Sequence, residues 1–242
     1  KSSGSIYPVN SIQGTYFGQD AGNPASVTGV GNTSIGYATG QALTSGANNV
    51  LIGRSAAESM TAGASNICIG KEAGKAGDFS ESVFIGHLAG QANTQGSTVG
   101  IGTEALKANT SVNNTAVGHR VLIANTSGDS NTGLGFRALD TNITGNNNTA
   151  IGSESLKNST GGSNTAVGTQ SALDNSSGSG NVAIGTSALR VNTTGSDAVA
   201  IGANALKSDT TVEESVAVGA NALMNQTSGR NHAFGFRALQ DL

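Results

Sequence analysis

The sequence predicts a β-solenoid, a chain wound into stacked coils. Three observations carry that expectation: a motif that recurs along the whole chain, a near-constant spacing between its copies, and a fixed apolar alternation inside each copy. The clearest copy is Asn181-Val182-Ala183-Ile184-Gly185-Thr186-Ser187-Ala188-Leu189. Its glycine recurs at Gly18, Gly36, Gly53, Gly70, Gly86, Gly102, Gly118, Gly135, Gly152, Gly168, Gly185, Gly202, Gly219 and Gly235. The intervals are one of 18 residues, seven of 17 and five of 16. A unit of that length cannot bury a core alone, whereas stacked copies can, each coil pairing with the next.

Composition points the same way. Aromatic residues make up 4% of the 242 residues and Trp is absent, so the side chains that fill a round core are missing. Gly numbers 36 and charged residues are 11%. The periodic apolar positions separate the chain from a disordered low-complexity tract. A net charge of −3 leaves no electrostatic footprint for nucleic acid. No apolar run approaches the roughly 20 residues that span a bilayer, so no membrane insertion is expected of this stretch. The single cysteine, Cys68, excludes an internal disulfide framework.

In chain order, residues 1–13 lack the motif, contain Pro8 and read as a lead-in segment; residues 14–242 read as one solenoid domain of about fourteen coils. The start at Lys1 rather than Met reads as a fragment or a processed product. With each motif glycine as position zero, position −1 is always large and apolar: Ile52, Ile69, Ile85, Ile101, Val117, Ile151, Ile184, Ile201 and Val218 among others. This reads as the core column. Position −3 is β-branched in every repeat but the last, where His232 stands, which suits a pleated strand. Positions −3 and −1 share a face. Position −2, opposite them, is Ala or Gly from Gly100 onward, including Ala116, Ala150, Ala166, Ala183, Ala200 and Ala217. A column of tiny residues beside a column of Ile signals close approach of something to the backbone there.

Past the glycine, positions +3 and +4 read Ala-Leu in most later repeats, whereas early repeats carry Gly22, Gly40, Gly74 and Gly90 at +4. The expected unit is a strand, the glycine, a short second strand and a turn such as Asn192-Thr193-Thr194-Gly195. After Gly168 the apolar pair shifts to Ala172-Leu173, which a one-residue bulge would absorb.

Three stretches carry a resemblance. Ala198-Val199-Ala200-Ile201-Gly202-Ala203-Asn204-Ala205 and Ser215-Val216-Ala217-Val218-Gly219-Ala220-Asn221-Ala222 resemble the repeat of YadA-like head domains of trimeric autotransporter adhesins. Asn148-Thr149-Ala150-Ile151-Gly152 with its following turn also resembles repeats of bacteriophage tail fibres. The resemblance spans residues 14 to 239. It implies an all-β, left-handed parallel β-roll, three chains packed side by side as a homotrimer, and an extracellular setting on a bacterial surface or a virion fibre. In that arrangement the −2 alanines form the close-packed trimer face.

No residue set points to catalysis, a cofactor or a metal. Ile-Gly-x-x-Ala-Leu is like one hexapeptide of the left-handed β-helix acyltransferases, which need three in each coil of about 18 residues; here each coil has one. His87 and His119 both stand at +1 but two repeats apart, roughly 10 Å, too far to share a metal. Glu213-Glu214 reads as a solvated turn, and no calcium-roll or phosphate-loop motif occurs. The Asn-x-Ser/Thr triplets at Asn32, Asn109, Asn142, Asn158, Asn192 and Asn225 read as turn formers, and Cys68 as a buried reduced thiol.

The function expected is therefore that of a non-enzymatic fibrous adhesin that attaches to a carbohydrate, matrix or cell-surface receptor through outward turns such as Asn192 and Thr193. The sequence singles out no receptor contact. A passive spacer that carries a separate binding tip is the alternative. An ice-binding solenoid, suggested by the −3 threonines from Thr115 to Thr165, is the less favoured one.

Overall fold

The computed structural model describes residues 14–22, 27–227 and 229–241, so the lead-in segment lies outside the described residues. The chain divides into two compact units, Lys1–Val117 and Gly118–Leu242. Each is a parallel β-solenoid, and the described residues contain no helix.

Among the described residues the first unit holds seven strands: β1 (Gly14–Phe17), β2 (Asn32–Ile35), β3 (Val50–Ile52), β4 (Ile67–Ile69), β5 (Val83–Ile85), β6 (Val99–Ile101) and β7 (Thr115–Val117). The second holds β8 (Thr132–Leu134), β9 (Thr149–Ile151), β10 (Thr165–Val167), β11 (Val182–Ile184), β12 (Val199–Ile201), β13 (Val216–Val218) and β14 (His232–Phe234). Within each unit every strand pairs in parallel with the next in sequence. Equivalent motif positions meet: Val182 faces Val199, Ala183 faces Ala200 and Ile184 faces Ile201. The motif columns of the sequence are thus physical columns that run across the coils.

One coil shows the local logic. β11 ends at Ile184, and Gly185 follows with φ 129°. A Cβ there would lie 2.6 Å from the carbonyl carbon of Gly202 in the next coil, so both the backbone conformation and the stacking distance demand glycine. Residues 186–191 then form turns, not the second strand that the sequence suggested. Ser187 at φ 55° and Leu189 at φ 53° adopt the left-handed conformation, which costs a non-glycine residue about 1 kcal/mol or more. Coil-to-coil hydrogen bonds hold them there: Ser187 N–H to the carbonyl of Thr169 at 3.0 Å, and Leu189 N–H to that of Ala205 at 2.9 Å. Because the left-handed residues break the alternation of a strand, Ala188 and Leu189 both turn inward.

The same geometry disposes of the bulge expected after Gly168. Ala172 itself takes the left-handed +4 place at φ 47°, and its N–H reaches Ala188 at 2.9 Å as Leu189 reaches Ala205. No extra residue is inserted. Ser171-Ala172 simply replaces Ala-Leu.

The inside and the outside of the strand are exchanged relative to expectation. Ala116, Ala150, Ala166, Ala183, Ala200 and Ala217 are fully buried inside their own coils. The column read as core faces outward: Ile151, Ile184 and Ile201 are 36–38% exposed, and Ile52, Ile69, Ile85, Ile101, Val117 and Val218 are half-buried. The reason is volume. The −2 and +4 side chains enter the same narrow interior, so at most one of the two is large in any coil. Where −2 is Tyr16 or Phe84, a Cβ on the +4 glycine, Gly22 or Gly90, would lie 2.4 Å or 2.3 Å from a ring carbon. A Cβ on Gly74 would lie 2.9 Å from Cys68 Sγ and 2.6 Å from Phe79. Where −2 is Ala183, Ala200 or Ala217, Leu189, Leu206 or Leu223 fills the space.

Asparagine completes the interior. At −4, Asn32, Asn49, Asn66, Asn148, Asn164 and Asn181 are buried. The Oδ1 of Asn164 accepts the N–H of Asn181 at 3.0 Å, and Asn164 Nδ2 donates to the Gly178 carbonyl at 2.9 Å. A second column at +7 includes Asn93, Asn109, Asn125, Asn142, Asn175 and Asn192, joined in part amide to amide, as from Asn109 to Asn93 at 2.7 Å. Buried amides satisfied this fully stabilise rather than cost.

Candidate interaction surfaces

The outward strand face is built by the alternation that buries −2. Positions −3 and −1 flank each buried residue, and in-register pairing aligns them into two columns in each unit. In the first unit Val50, Ile67, Val83 and Val99 stand beside Ile52, Ile69, Ile85 and Ile101. In the second, Thr132, Thr149, Thr165, Val182, Val199 and Val216 stand beside Leu134, Ile151, Val167, Ile184, Ile201 and Val218. Neighbouring strands repeat every ~4.8 Å, so each unit presents a regular aliphatic strip that is partly open to solvent. A contiguous apolar strip of this kind is a candidate interaction surface.

Past the glycine bend, +1 is outward and varied. Most coils carry polar or small residues there, but Tyr37, Phe136 and Phe236 are exposed aromatics. In the second unit His119 and Phe136 occupy successive +1 positions. Their rings stack nearly parallel, with centroids 5.6 Å apart and planes 8° apart. The next residues, Arg120 and Arg137, both reach Asp140, which is 3% exposed. Arg120 Nε lies 3.3 Å from Oδ1 and Arg137 Nη2 lies 2.8 Å from Oδ2. The hydrogen bond to Asp140 strengthens the charge of Arg137 and raises its pKa. Glu154 is drawn below the ordinary carboxylate range by hydrogen bonds from Gln170 and Lys157.

The turns differ from expectation in one respect. Asn192, expected on the outward turn, is fully buried, as are Asn32, Asn109 and Asn142; Thr193 is half-buried and Asn225 is exposed. The short side chain that makes Asn a turn former also lets its amide fold inward and bond the coil. Cys68 is buried and free, and burial pushes its thiol up to about 12. His87 and Thr103 in the first unit and His119 in the second are all exposed.

The arginine–aspartate cluster was not singled out from the sequence, where Asp140 reads as one more turn carboxylate. Its signal is the recurrence of an aromatic or His followed by Arg at +1 and +2: His119-Arg120, Phe136-Arg137 and Phe236-Arg237. Among the described residues no group of three or more His, Cys, Asp or Glu is placed to hold a metal ion, and no helix is long and apolar enough to cross a membrane. No family model matches the chain, and neither does any curated protein or solved structure.

Proposed function

We propose that the chain is a non-enzymatic fibrous adhesin, a homotrimeric β-roll that projects from a bacterial surface or a phage tail and attaches to a host or surface receptor. The observation that supports it is the outward Ile/Val strip. A solenoid with an interior filled by Leu, Ala and bonded Asn has no need of a second aliphatic column in water, whereas three chains that share one axis would cover it. The trimer face is therefore the −3 and −1 columns and not the −2 alanines. Attachment then falls to the residues beyond the glycine bend and in the turns, where three copies multiply weak contacts.

Light scattering tests the assembly. A mass of three chains of 23.8 kDa each supports the trimer, and a stable single chain overturns it. Attachment separates adhesin from passive spacer: substitution of outward residues such as Thr193 and Phe136 abolishes binding by an adhesin and leaves that of a spacer with a separate tip intact. One observation favours an ice-binding solenoid as the second reading. Thr132, Thr149 and Thr165 face outward in register beside Leu134, Ile151 and Val167, a flat array of hydroxyl and methyl groups. That reading requires a monomer and a measurable thermal hysteresis.

A further inference from the structure

The cluster of His119, Arg120, Phe136, Arg137 and Asp140 does more than an ion pair on a turn requires. One buried carboxylate is divided between two guanidinium groups, one oxygen to each. Both guanidinium groups are thereby fixed, although their side chains remain 38% and 30% exposed. Each commits one nitrogen to Asp140, and a guanidinium carries five N–H donors. The Nε of Arg137 is buried with no partner. The carboxylate of Glu154, whose charge also acts on Arg137, takes its hydrogen bonds from Lys157 at 3.0 Å and from Gln170 at 3.0 Å. Arg120, Arg137 and Lys157 against Asp140 and Glu154 leave a net positive charge on the patch. Beside it Phe136 is 48% exposed, with the Arg137 guanidinium carbon 6.0 Å from its ring centroid. Fixed donors for an oxyanion thus stand next to an apolar ring surface of the size of one sugar.

We propose that this cluster is a binding subsite for an acidic carbohydrate, a sugar that bears a carboxylate or a sulfate. The anionic group takes the free N–H donors of Arg120 and Arg137, which match it as a planar fork. The C–H face of the ring packs on Phe136 and His119. Asp140 is a positioning residue: it holds the two guanidinium groups and does not touch the ligand. The assignment rests on the adhesive reading above, for which it names the receptor chemistry.

The test is titration of the whole chain with polygalacturonate and with dextran sulfate, with neutral dextran as control. Saturable binding of either acidic polymer, weakened by added salt and absent with dextran, is expected. Phe136→Ala and Arg120→Gln each weaken it about tenfold, the scale of one charged hydrogen bond or one ring contact. Both variants should unfold within a few degrees of the parent, since Phe136 is exposed and Arg137 still holds Asp140. Failure of the parent chain to bind either polymer overturns the proposal, as does undiminished binding by both variants. If the parent fails with both polymers and still attaches to cells, this subsite falls while the adhesive reading stands. If it binds them through the cluster as a stable monomer, the trimer falls and the subsite stands.

Discussion

The amide nitrogen of Asn192 donates to Oδ1 of Asn175 in the preceding coil at 2.8 Å and, also at 2.8 Å, to the carbonyl of Gly195 in its own coil. Its Oδ1 in turn accepts the Gly195 N–H at 3.1 Å. One side chain therefore closes a turn and ties it to the neighbouring coil. Asn192→Ala leaves buried partners without bonds and should cost about 2–4 kcal/mol, from the desolvation penalty of each orphaned group. Asn225→Ala, at an exposed turn position, should stay within about 0.5 kcal/mol. Urea denaturation of the two variants measures the contrast.

The shared interior volume predicts a compensating pair. Ala183→Phe alone overfills the coil and should cost about 1–3 kcal/mol. Leu189→Gly alone empties it and should cost about 2–5 kcal/mol, reduced a little because glycine relaxes the left-handed backbone at φ 53°. The double variant restores the Phe84–Gly90 pairing within the coil, though Ala200 stands where that pair faces Gly100, and should recover at least about 1 kcal/mol relative to the sum. An additive pair would refute the shared volume.

Gly185→Ala should be far more damaging than any exposed substitution. The new methyl group meets the backbone of Gly202, and no side chain can swing aside to admit it. Loss of soluble folded protein, or a fall of at least about 4 kcal/mol in stability, is expected. Far-UV circular dichroism with a thermal scan reports either outcome.

Acid should destabilise the first unit through Asp78. Burial raises its pKa, but the Thr61 hydroxyl and the N–H groups of Ala62, Gly63 and Thr61 outweigh that and leave it below the ordinary value. A depressed folded value means that the stabilisation is complete above the unfolded pKa of about 3.9 and is lost as pH falls through the lower folded value. The urea midpoint of the parent chain should therefore drop faster as pH falls below about 4 than the midpoint of Asp78→Asn. Equal slopes would show that the N–H groups around Asp78 contribute nothing in solution.

The outward strip makes a separable prediction. Ile184→Asp introduces charge at a site that is 38% exposed in one chain, so single-chain stability should change by less than about 1 kcal/mol. In the proposed trimer the same charge is buried three times around an axis and should convert the assembly to single chains by light scattering. An unchanged trimeric mass would remove the strip from the interface.

Much of this architecture was legible from spacing alone. The glycine column, the strand positions and the in-register stacking follow from a period that no compact domain would repeat so often. The direction of the strand was not legible, because alternation says that −2 opposes −1 without saying which is inside. Size was the misleading cue: Ile184 reads as core and Ala183 as surface, until Leu189 is seen to occupy the room beside Ala183. The left-handed residues hid that competitor, since a Leu six residues from an Ala points inward only after two left-handed turns. Asn192 misled for a related reason, as nothing local distinguishes an amide that caps a turn outward from one that bonds the coil inward. The Arg120–Asp140–Arg137 cluster escaped notice because its three members come from two successive coils, and only the stacking distance brings them together.

The shared interior slot also governs how the chain can change length. Tyr16 with Gly22, Phe84 with Gly90 and Ala183 with Leu189 each balance their volumes inside one coil, so a whole coil carries its own compensation wherever it is placed among its own kind. Duplication or loss of a complete coil between two of the Ala-Leu type leaves every neighbour as well packed as before. At the change of type the tolerance ends: a Cβ on Gly100 would stand 3.0 Å from the Phe84 ring, so a coil with Ala at −2 inserted directly after Phe84 would be crowded. Reach in such a molecule is adjustable in whole steps of one strand spacing, and the joint after Phe84 is where that adjustment should be least free.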